Sequence, residues 1–569
     1  MKAKNLAYNE PQVDQMIKQS FPFEEFNDGQ FEAIKFAVMN LLMGKKHVVI
    51  EAPTGVGKSV IAITIHRVMS KLTFLDAKME AWRTQITTTT KGLQDQYVGD
   101  GMIDADLRSK TNYKCPLGHT FGSAECAIAR KRKMCRPTRD CEYLVTRQNW
   151  LVRALIRTTN NAMLLEMPAD MCASGDNRVD LTVVDECHKL DKSLLNHAKL
   201  RFNPNLINGV IKIGIVNAPE IKAVIEKILI YFIRLREGEI FAADENFREL
   251  CADVLELATE SFEHIDKIFD EYTDKLQLDA LTNLQNQVAM FSAVVNAASL
   301  INRGDITDMI LFECKQNEVT LKPIFPKDVS QYSLFSKSDQ VVHMSATICG
   351  MEAYYERLGI PKEDVAIYNI NNPIPVDNRL VHYLPKVRMS GKATEEKARE
   401  LTQHIDDIYE NMHLNENALI HTVSYTLADM IMKYSRFKDR MMIGGNKVGR
   451  DKTMKALRDG AKDGRGVIVL SAAMEEGWDL KGDLCRMNVV AKVPYEFMGD
   501  PLVKFVSNKE PAQYFREAIL RIVQASGRCT RGVNDHGATY ILDESFGSLV
   551  SRNQDFFPKW FLESIRYYE

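Results

Sequence analysis

Short apolar runs, each ending in a polar or glycine-containing turn, recur along this chain. Their length is typical of strands that are buried on both faces of a parallel sheet. They lie at residues 47–50, 179–184, 341–347, 418–423, 466–470 and 486–491, and the β-branched segment 85–90 adds a further predicted strand. Helical patterns lie between them, such as the one that carries Ile34, Ala37, Val38 and Leu41. The alternation predicts an α/β fold with one sheet in each half of the chain.

Residues 201–300 have a different pattern, in which apolar stripes at helical spacing are embedded in acidic sequence. This stretch holds nine basic and sixteen acidic residues, and Leu250, Val254 and Leu257 form one of its stripes. No catalytic group of side chains is evident in it. The pattern predicts a mostly helical, acidic insert that packs against the rest of the protein or binds a partner.

The apolar run at residues 47–50 leads into a loop of the form A-x-x-G-x-G-K-S that begins at Ala52. Glycines in such a loop let backbone N–H groups surround an anion, and the lysine and the helix N-terminus add positive charge. The serine hydroxyl is suited to Mg²⁺. The sequence therefore predicts a site for a nucleotide with Mg²⁺, with a plain glycine turn as the alternative. The predicted binding residues are Thr54, Gly55, Gly57, Lys58 and Ser59.

Gln30 stands at the start of the helix that precedes this loop. Its paired amide donor and acceptor could read an adenine edge. A helix-start glutamine with a solvated side chain is an equally good interpretation of the sequence.

The apolar run at residues 179–184 ends in Asp185-Glu186-Cys187-His188. An acid at the carboxyl end of a parallel strand is where phosphate-loop enzymes hold Mg²⁺. Asp185 is therefore predicted to hold Mg²⁺ through water, and Glu186 to orient or deprotonate the attacking water. His188 lies where it could couple the γ-phosphate site to neighbouring segments.

Four cysteines, Cys115, Cys126, Cys135 and Cys141, form the spacing C-x10-C-x8-C-x5-C. This spacing differs from the close cysteine pairs of zinc ribbons and from ferredoxin runs. Four thiolates are what a [4Fe–4S] cluster requires, so the residues alone leave a cluster, a zinc ion and free structural thiols open. His119 is a further candidate ligand, although a loop histidine is the simpler interpretation.

The segment around these cysteines is basic, since residues 101–150 hold ten Lys and Arg against five acids, in a chain of net charge −3. A charged run is usually a solvated face. Beside a nucleotide site, however, a basic module favours contact with nucleic-acid phosphates. The hydroxyl-rich strand end at residues 85–90 suits the same backbone contacts, with a solvated strand end as the alternative.

Length and composition exclude several classes of protein. At 569 residues the chain is too long for one core and predicts about three or four domains. The N-terminus has no signal-peptide pattern, and no apolar run approaches the ~20 residues of a membrane span. We therefore expect a cytoplasmic, intracellular protein without membrane contact. Its eleven cysteines are expected to serve metal or cluster binding rather than disulfides.

The phosphate loop, the D-E-C-H box at residues 185–188 and the four cysteines between them resemble the XPD/DinG-type helicases of superfamily 2. In that family the cysteine insert carries a [4Fe–4S] cluster. The resemblance implies that Cys115, Cys126, Cys135 and Cys141 are cluster ligands, whereas Cys187 belongs to the box. It also implies that the acidic insert is similar to the family's Arch domain. Residues 345–347, Ser-Ala-Thr, resemble motif III, which links the nucleotide to the nucleic-acid site.

Two later segments resemble further motifs of this family. Residues 475–482 resemble motif V, in which Gly477 and Asp479 suit a loop that faces both the lobe cleft and the nucleic-acid backbone. Gln524, Arg528 and Arg531 form Q-x-x-G-R-x-x-R, which resembles motif VI. Arginines at i and i+3 share one face and can reach the same anion, as arginine fingers do on a transferring phosphoryl group. A surface arginine pair is the alternative interpretation.

The chain departs from the family pattern at two positions. Ala52 replaces the usual first glycine of the phosphate loop, which still fits the helicase form of that loop. Ser545 replaces the arginine of the family's D-x-R-F ending at residues 543–546. The role of that last segment is therefore left open.

The resemblance implies two RecA-like α/β lobes of the phosphate-loop NTPase type, with a four-cysteine cluster insert and a mostly helical Arch insert in the first. The expected boundaries are 1–100, 151–200 and 306–375 for lobe 1, 101–150 for the cluster module, 201–305 for the Arch-like insert and 376–569 for lobe 2.

The implied function is an ATP-dependent DNA helicase with ATP, Mg²⁺ and a [4Fe–4S] cluster as cofactors. It would translocate 5′ to 3′ on single-stranded DNA and unwind forked duplex. A DNA-stimulated translocase or remodelling ATPase that does not separate strands is the alternative. We expect a monomer that binds single-stranded and forked DNA, with the Arch-like insert as a surface for protein partners.

Overall fold

A computed structural model describes the chain between residues 8 and 568, with internal gaps. The described residues are 8–75, 81–99, 101–120, 123–168, 170–173, 178–202, 230, 235–272, 295, 298–299, 302, 306–315, 318–389, 391, 393–444, 447–472 and 480–568. Their strands are β1 (His47–Glu51), β2 (Thr84–Thr88), β3 (Ala105–Asp106), β4 (Ile156–Asn160), β5 (Leu181–Asp185), β6 (Leu200–Phe202), β7 (Ile240–Ala242), β8 (Asp308–Lys315), β9 (Glu318–Pro323), β10 (Gln340–Ser345), β11 (Val365–Asn369), β12 (Val381–Val387), β13 (Ala418–His421), β14 (Met441–Ile443), β15 (Ile468–Ser471), β16 (Met487–Val490), β17 (Ala538–Asp543) and β18 (Ile565–Tyr567).

The α-helices of the same residues alternate with these strands. They are α1 (Glu10–Ser20), α2 (Gln30–Leu42), α3 (Lys58–Leu75), α4 (Lys91–Gly99), α5 (Ala124–Lys131), α6 (Pro137–Asp140), α7 (Glu142–Gln148), α8 (Asn161–Glu166), α9 (Asp170–Ala173), α10 (Leu190–His197), α11 (Glu245–Tyr272), α12 (Lys327–Ser333), α13 (Met351–Arg357), α14 (Glu395–Met412), α15 (Tyr425–Tyr434), α16 (Lys447–Asp463), α17 (Pro501–Lys509), α18 (Pro511–Ser526), α19 (Ser545–Arg552) and α20 (Lys559–Ser564). No helix in this described part combines the length and apolar character of a membrane-spanning segment.

The first sheet has seven strands in the order β11-β1-β10-β5-β2-β4-β3, all paired in parallel. Strands β1, β2 and β5 are buried along their whole length, as expected where helices cover both faces of a sheet. Helix α2 buries its predicted apolar stripe against the same core. Because β10 lies between β1 and β5, the carboxyl ends of three strands that are distant in sequence are neighbours.

The second sheet also has seven strands, in the order β14-β15-β13-β16-β17-β12-β18, and it is parallel throughout. The apolar runs at 418–423, 466–470 and 486–491 contain its strands β13, β15 and β16. The proline-containing segment 370–380 connects β11 of the first sheet to β12 of the second. The predicted α/β fold with two RecA-like lobes is thus confirmed; below, lobe 1 contains the first sheet and lobe 2 the second.

A small antiparallel sheet, β6-β9-β8-β7, is inserted in lobe 1. Its apolar side chains Ile310, Ile324 and Phe325 pack against α17 of lobe 2. Most of the acidic insert predicted at residues 201–305 lies outside the described residues. The described portion includes the 28-residue helix α11, which buries the predicted stripe positions Leu250 and Val254.

The four-cysteine segment contains three short helices, α5 to α7, on the edge of lobe 1. Leu107, Tyr143, Trp150 and Met167 form a small core beneath it, and Cys141 packs against that core. This module is therefore anchored to β3 and β4 by its own apolar contacts.

Lobe 2 contains a disulfide between Cys485 and Cys529, whose Cα atoms are 5.2 Å apart. The expectation that the cysteines would avoid disulfides is wrong for this pair. The two cysteines are 44 positions apart in sequence, which hides the pairing, because only the folding of lobe 2 brings the segments after residue 480 and after α18 together.

Candidate nucleotide site and interlobe cleft

The phosphate loop lies between β1 and α3, where the predicted strand–loop–helix order is observed. Gly55 and Gly57 have φ of 94° and 87°, a left-handed conformation that favours glycine. A Cβ at Gly57 would also lie 2.5 Å from Nε2 of Gln30, so no other residue fits there without displacement. Lys58 and Ser59 form the first turn of α3, where unpaired N–H groups and the helix dipole favour an anion.

Gln30 supports this loop from inside the protein, since its side chain is only 2% exposed. Its Oε1 accepts a hydrogen bond from the N–H of Asn27 at 2.8 Å, and its Nε2 donates to the carbonyl oxygen of Gly57 at 3.3 Å. The interpretation of Gln30 as a solvated helix-start residue is therefore wrong. Both ends of its amide are bound to protein backbone next to the phosphate loop.

Asp185 and Glu186 face the phosphate loop from the end of β5, which is separated from β1 by β10 alone. Nζ of Lys58 lies 3.3 Å from Oε1 of Glu186. Oδ1 of Asp185 accepts the N–H of Glu186 at 2.9 Å, and Oδ2 accepts the phenol of Tyr97 at 3.1 Å. Glu186 itself has φ of 54°, an uncommon conformation for a residue with a side chain. Such strain is characteristic of functional turns that the surrounding structure holds in place.

Burial and charge act on this cluster in opposite directions. Burial would lower the pKa of Lys58, but the charges of Glu186 and Asp185 raise it above its ordinary value. Burial raises the pKa of Asp185 to about 6, although Lys58 opposes the shift. For Glu186, burial is outweighed by Lys58 and His188, so its pKa is lowered. The positive charge of Lys58 thus stabilises both carboxylates against the effect of their burial.

Strand β10 connects this cluster to the segment of residues 345–347. Nδ1 of His188 and Oγ of Ser345 form a hydrogen bond of 2.7 Å, so the D-E-C-H box is in direct contact with this segment. The N–H of Ala52, at the start of the phosphate loop, donates to the carbonyl oxygen of Ser345 at 2.8 Å. Residue 345 therefore contacts both the acid box and the phosphate loop.

Lobe 2 reaches the phosphate loop through the segment that follows α18. Nη1 of Arg531 donates to Oγ1 of Thr54 at 3.4 Å, and a Cβ at Gly55 would lie 3.6 Å from the carbonyl oxygen of Arg531. Arg528 is buried, and its charge, after burial itself, contributes to lowering the pKa of His421 to about 3. The structure thus brings Arg531 to the loop, while Arg528 lies deeper in lobe 2.

Gln524 lines a cavity of about 270 Å³ between the lobes. Lobe 1 contributes Thr89 and Thr90, which directly follow β2, and the residues His188, Lys189 and Lys192. The other residues of lobe 1 that line the cavity are Ser193 and Asn196. Lobe 2 contributes Glu517, Leu520, Arg521 and Gln524. Nζ of Lys192 is 2.9 Å from Oε2 of Glu517, an ion pair that joins the lobes at this cavity.

The remaining predicted site residues are Gly477, Asp479 and the four cysteines. Gly477 and Asp479 lie outside the described residues. Among the four cysteines, Cys126 is buried and the other three are half-buried. Burial, and then the neighbouring Cys126, Cys115 and Cys141, raise the pKa of the Cys135 thiol, although Arg130 opposes the shift. Within the part of the chain that is described, no three His, Cys, Asp or Glu side chains are arranged to hold a metal ion.

Three functional candidates were missed by sequence reasoning. Tyr97 hydrogen-bonds Asp185, as described above. Oε2 of Glu51 accepts the N–H groups of Ile348 and Cys349 at 2.6 and 3.2 Å. Nε of Arg516, on α18 of lobe 2, donates to the carbonyl oxygen of Cys349 at 2.8 Å. No local sequence pattern marks these residues, because each contact joins segments that are far apart in the chain.

Two RecA-like lobes, with a phosphate loop in the first and Arg531 of the second in contact with it, define a two-lobed phosphate-loop protein. Comparison with known families agrees with this class. The family described as "Type III restriction enzyme, res subunit" matches residues 24–210, and the "Helicase C-terminal domain" family matches residues 407–564.

Relatives and solved structures extend the similarity over the whole chain. A protein named as a probable ATP-dependent helicase of Methanocaldococcus jannaschii is 23% identical over 94% of both chains. The ATP-dependent DNA helicase YoaA of Haemophilus influenzae is 27% identical over 25% of this chain and 22% of its own. The structure of S. tokodaii Xpd4 shares the fold, with a TM-score of 0.56, 16% identity and coverage of 95% of this chain and 99% of the other. Together these matches support an ATP-hydrolysing helicase, and they agree with the resemblance to the XPD/DinG-type helicases of superfamily 2.

Proposed function

We propose that this protein is an ATP-dependent DNA helicase that translocates on single-stranded DNA and unwinds duplex in the 5′ to 3′ direction. The observation that carries the proposal is the contact between Arg531 of lobe 2 and Thr54 of the phosphate loop. It means that one nucleotide would be enclosed by both lobes. Nucleotide binding and release would then change how the lobes sit on a bound strand.

Lobe 1 supplies the half of the site that binds phosphate and Mg²⁺. The Ser59 hydroxyl and the Asp185 carboxylate are oxygen ligands beside the loop, which is the ligand type that Mg²⁺ takes together with nucleotide phosphates. Lys58 is charged and aimed at the same place, since it pairs with Glu186. When bound, Mg²⁺ would neutralise charge on the transferring phosphoryl group. Glu186 would orient or deprotonate the attacking water.

Lobe 2 supplies the charge that completes the site. Arg531 would move from the Thr54 hydroxyl to the γ-phosphate of ATP, since a phosphate oxygen is a stronger acceptor than a hydroxyl. Arg528 and Gln524 would support it from the same segment. Loss of the γ-phosphate removes the anion that attracts Arg531, so hydrolysis would loosen the contact between the lobes.

Single-stranded DNA is the substrate that the interlobe surface suits. Thr90 lines the interlobe cavity together with Lys189, Lys192 and Arg521, and hydroxyl and basic side chains of this kind bind phosphate backbones without reading bases. The basic segment of residues 101–150 would add further contacts to phosphates. One relative of this chain is named as a DNA helicase, which favours DNA over RNA. The 5′ to 3′ direction rests on the family resemblance.

We also propose that Cys115, Cys126, Cys135 and Cys141 hold a [4Fe–4S] cluster. Four thiols in one small module, of which Cys135 lies within electrostatic range of the other three, are the donor set that such a cluster requires. The cluster would hold the module in one conformation where it meets DNA. We also propose the six domain segments whose boundaries are given above, including the Arch-like insert at residues 201–305.

The test of the function measures ATP hydrolysis and strand displacement with the same protein. DNA is supplied as duplex with a 5′ tail, a 3′ tail or no tail, and hydrolysis is measured with and without single-stranded DNA. We expect DNA-stimulated hydrolysis and displacement of the 5′-tailed duplex, both absent in Lys58→Ala. The control variant is Lys71→Ala, which removes an exposed lysine of the same helix and should behave as wild type.

Each alternative has its own result in this assay. DNA-stimulated hydrolysis without displacement would support a translocase or remodelling ATPase instead. Preference for the 3′ tail would contradict the proposed direction. For the cysteines, anaerobically purified protein should contain iron and acid-labile sulfide, and stoichiometric zinc with neither would reject the cluster.

A further inference from the structure

Helix α4 lies between the nucleotide site and the four-cysteine module. It directly follows the strand β2 and the hydroxyl-rich turn at residues 89–90. Two of its side chains, Gln94 and Tyr97, are 0% and 1% exposed. Residues at i and i+3 share one face of a helix, so both point into lobe 1.

Tyr97 is in contact with the nucleotide site. Its phenol donates to Oδ2 of Asp185 at 3.1 Å. The other oxygen of that carboxylate accepts the N–H of Glu186 at 2.9 Å, so the phenol and the backbone together fix its orientation. A carboxylate that binds Mg²⁺ through water depends on such partners, because its oxygens must face the ion without rotating.

Gln94, one turn earlier, is in contact with the base of the module. Its Nε2 donates to Oδ1 of Asp106 at 2.5 Å and to the carbonyl oxygen of Leu107 at 3.1 Å. Leu107 is part of the small core that contains Tyr143, and Cys141 packs on that core. A displacement of the module would therefore act directly on Gln94.

Further contacts join the same helix to the segment that leads into the module. Nη2 of Arg108 is 2.6 Å from Oδ1 of Asp95, and Nζ of Lys91 donates to Oδ1 of Asn112 at 2.6 Å. The N–H of Arg108 donates to the phenol oxygen of Tyr113, whose ring packs edge-on against that of Tyr143. Helix α4 is thus held by the module at three of its side chains and holds Asp185 at one.

We propose that α4 is a rigid link through which the four-cysteine module positions Asp185, with Tyr97 and Gln94 as the positioning residues at its two ends. Tyr97 acts on Mg²⁺ only through Asp185, and Gln94 acts only through the helix. The inference rests on the proposed role of Asp185 in binding Mg²⁺ with ATP. The inference adds a route by which DNA bound to the basic module would change how the nucleotide is bound.

The experiment measures binding rather than activity. A fluorescent non-hydrolysable ATP analogue is titrated onto the full-length protein at a series of Mg²⁺ concentrations. We expect Tyr97→Phe to require about tenfold more Mg²⁺ for half-maximal binding, as for loss of a partner that orients a metal-binding carboxylate. Binding of the analogue without Mg²⁺ should stay at the wild-type level, because the phosphate loop is unchanged.

The second position tests the link itself. Gln94→Met keeps the volume but removes both hydrogen bonds to the module, and we expect about a threefold rise in the Mg²⁺ requirement. In the double variant the requirement should equal that of Tyr97→Phe alone, because one cut already breaks the link. Effects that multiply in the double variant would overturn the proposal.

Two controls separate positioning from general loss of stability. Tyr409→Phe removes another buried phenol, which donates to the carbonyl oxygen of Glu416 in lobe 2. Gln96→Ala changes an exposed residue of α4 itself. Both variants should bind the ATP analogue with the wild-type Mg²⁺ dependence. If the Tyr97→Phe variant also did so, the proposed link would be overturned, but the proposed function would not. A wild-type protein without Mg²⁺-dependent binding would overturn the proposed function and the link together.

Discussion

Strand β1 of lobe 1 and strand β13 of lobe 2 both lead from a parallel sheet into a helix, but their connecting loops differ. In lobe 1 the loop spans residues 52–57 and contains two glycines at positive φ. In lobe 2 the loop spans residues 422–424, and Oγ of Ser424 accepts the N–H of Leu427 at 3.2 Å. The N-terminus of α3 in lobe 1 is therefore open to a ligand, whereas the N-terminus of α15 in lobe 2 is capped by Ser424.

This difference teaches that a helix N-terminus in a RecA-like lobe is not in itself a phosphate site. The loop must be long enough to curve around an anion, and the first N–H groups must not already be bound. Lobe 2 meets neither condition at α15, and its contribution to the nucleotide site comes instead from the segment after α18. The two lobes thus share an architecture and divide the chemistry between them.

The largest effect is expected from Lys58→Ala, which removes the charge of the lobe 1 loop. ATP hydrolysis should fall on the order of 10³-fold, because the lysine stabilises charge that develops in the transition state. Binding of ATP should weaken as well, since the lysine also faces the bound phosphates. Steady-state hydrolysis and analogue binding measure the two effects, and hydrolysis at the wild-type rate would show that nucleotide binds elsewhere.

Glu186→Gln is expected to have the next largest effect and to separate chemistry from binding. The amide cannot accept a proton from water, so kcat should fall on the order of 10²-fold. Affinity for ATP should be kept or increased, because the carboxylate that repels phosphate is gone. A fall in affinity with unchanged kcat would contradict the role given to Glu186.

Ser59→Ala changes the second residue of α3 in the open loop. Loss of the hydroxyl should raise the Mg²⁺ concentration needed for half-maximal hydrolysis by about tenfold. Stability should change little, since the serine is expected to bind the ion rather than to cap the helix. Thermal unfolding without nucleotide provides the comparison, and a large loss of stability there would identify Ser59 as a structural residue.

Ser424→Ala is the matched substitution in lobe 2 and is expected to have the smallest effect on activity. Loss of this cap should cost about 1 kcal/mol of stability, as for other serine caps. Hydrolysis and its Mg²⁺ dependence should remain at the wild-type level. Lowered hydrolysis in a protein that is still fully folded would mean that α15 of lobe 2 also serves the nucleotide.

Much of the site could be predicted from the sequence where chemistry is carried by short segments. The phosphate loop, the acid pair at residues 185–186 and the arginine pair each occupy fewer than about ten residues, and their residue types follow from the ligand. The alternation of apolar runs and helices likewise predicted both sheets, because period and length are local properties.

Contacts between distant segments could not be predicted in this way. The Tyr97–Asp185 hydrogen bond joins α4 to β5, and Glu51 binds the backbone of residues 348–349. Arg516 of lobe 2 contacts the same turn. Such pairs depend on strand order and helix packing, which periodicity does not specify. Gln30 shows the same limit at short range, because its burial against Gly57 depends on how α2 packs against the loop.

The account rests on a nucleotide site that lobe 1 begins and lobe 2 completes, and Arg531→Ala tests this most directly. Single-turnover hydrolysis should be compared with analogue binding in the same protein, with Arg566→Ala, an arginine bonded to backbone carbonyls of lobe 2, as control. We predict binding within about threefold of wild type and hydrolysis slowed on the order of 10³-fold or more, as for loss of an arginine finger. Hydrolysis by Arg531→Ala at the wild-type rate would contradict the shared site.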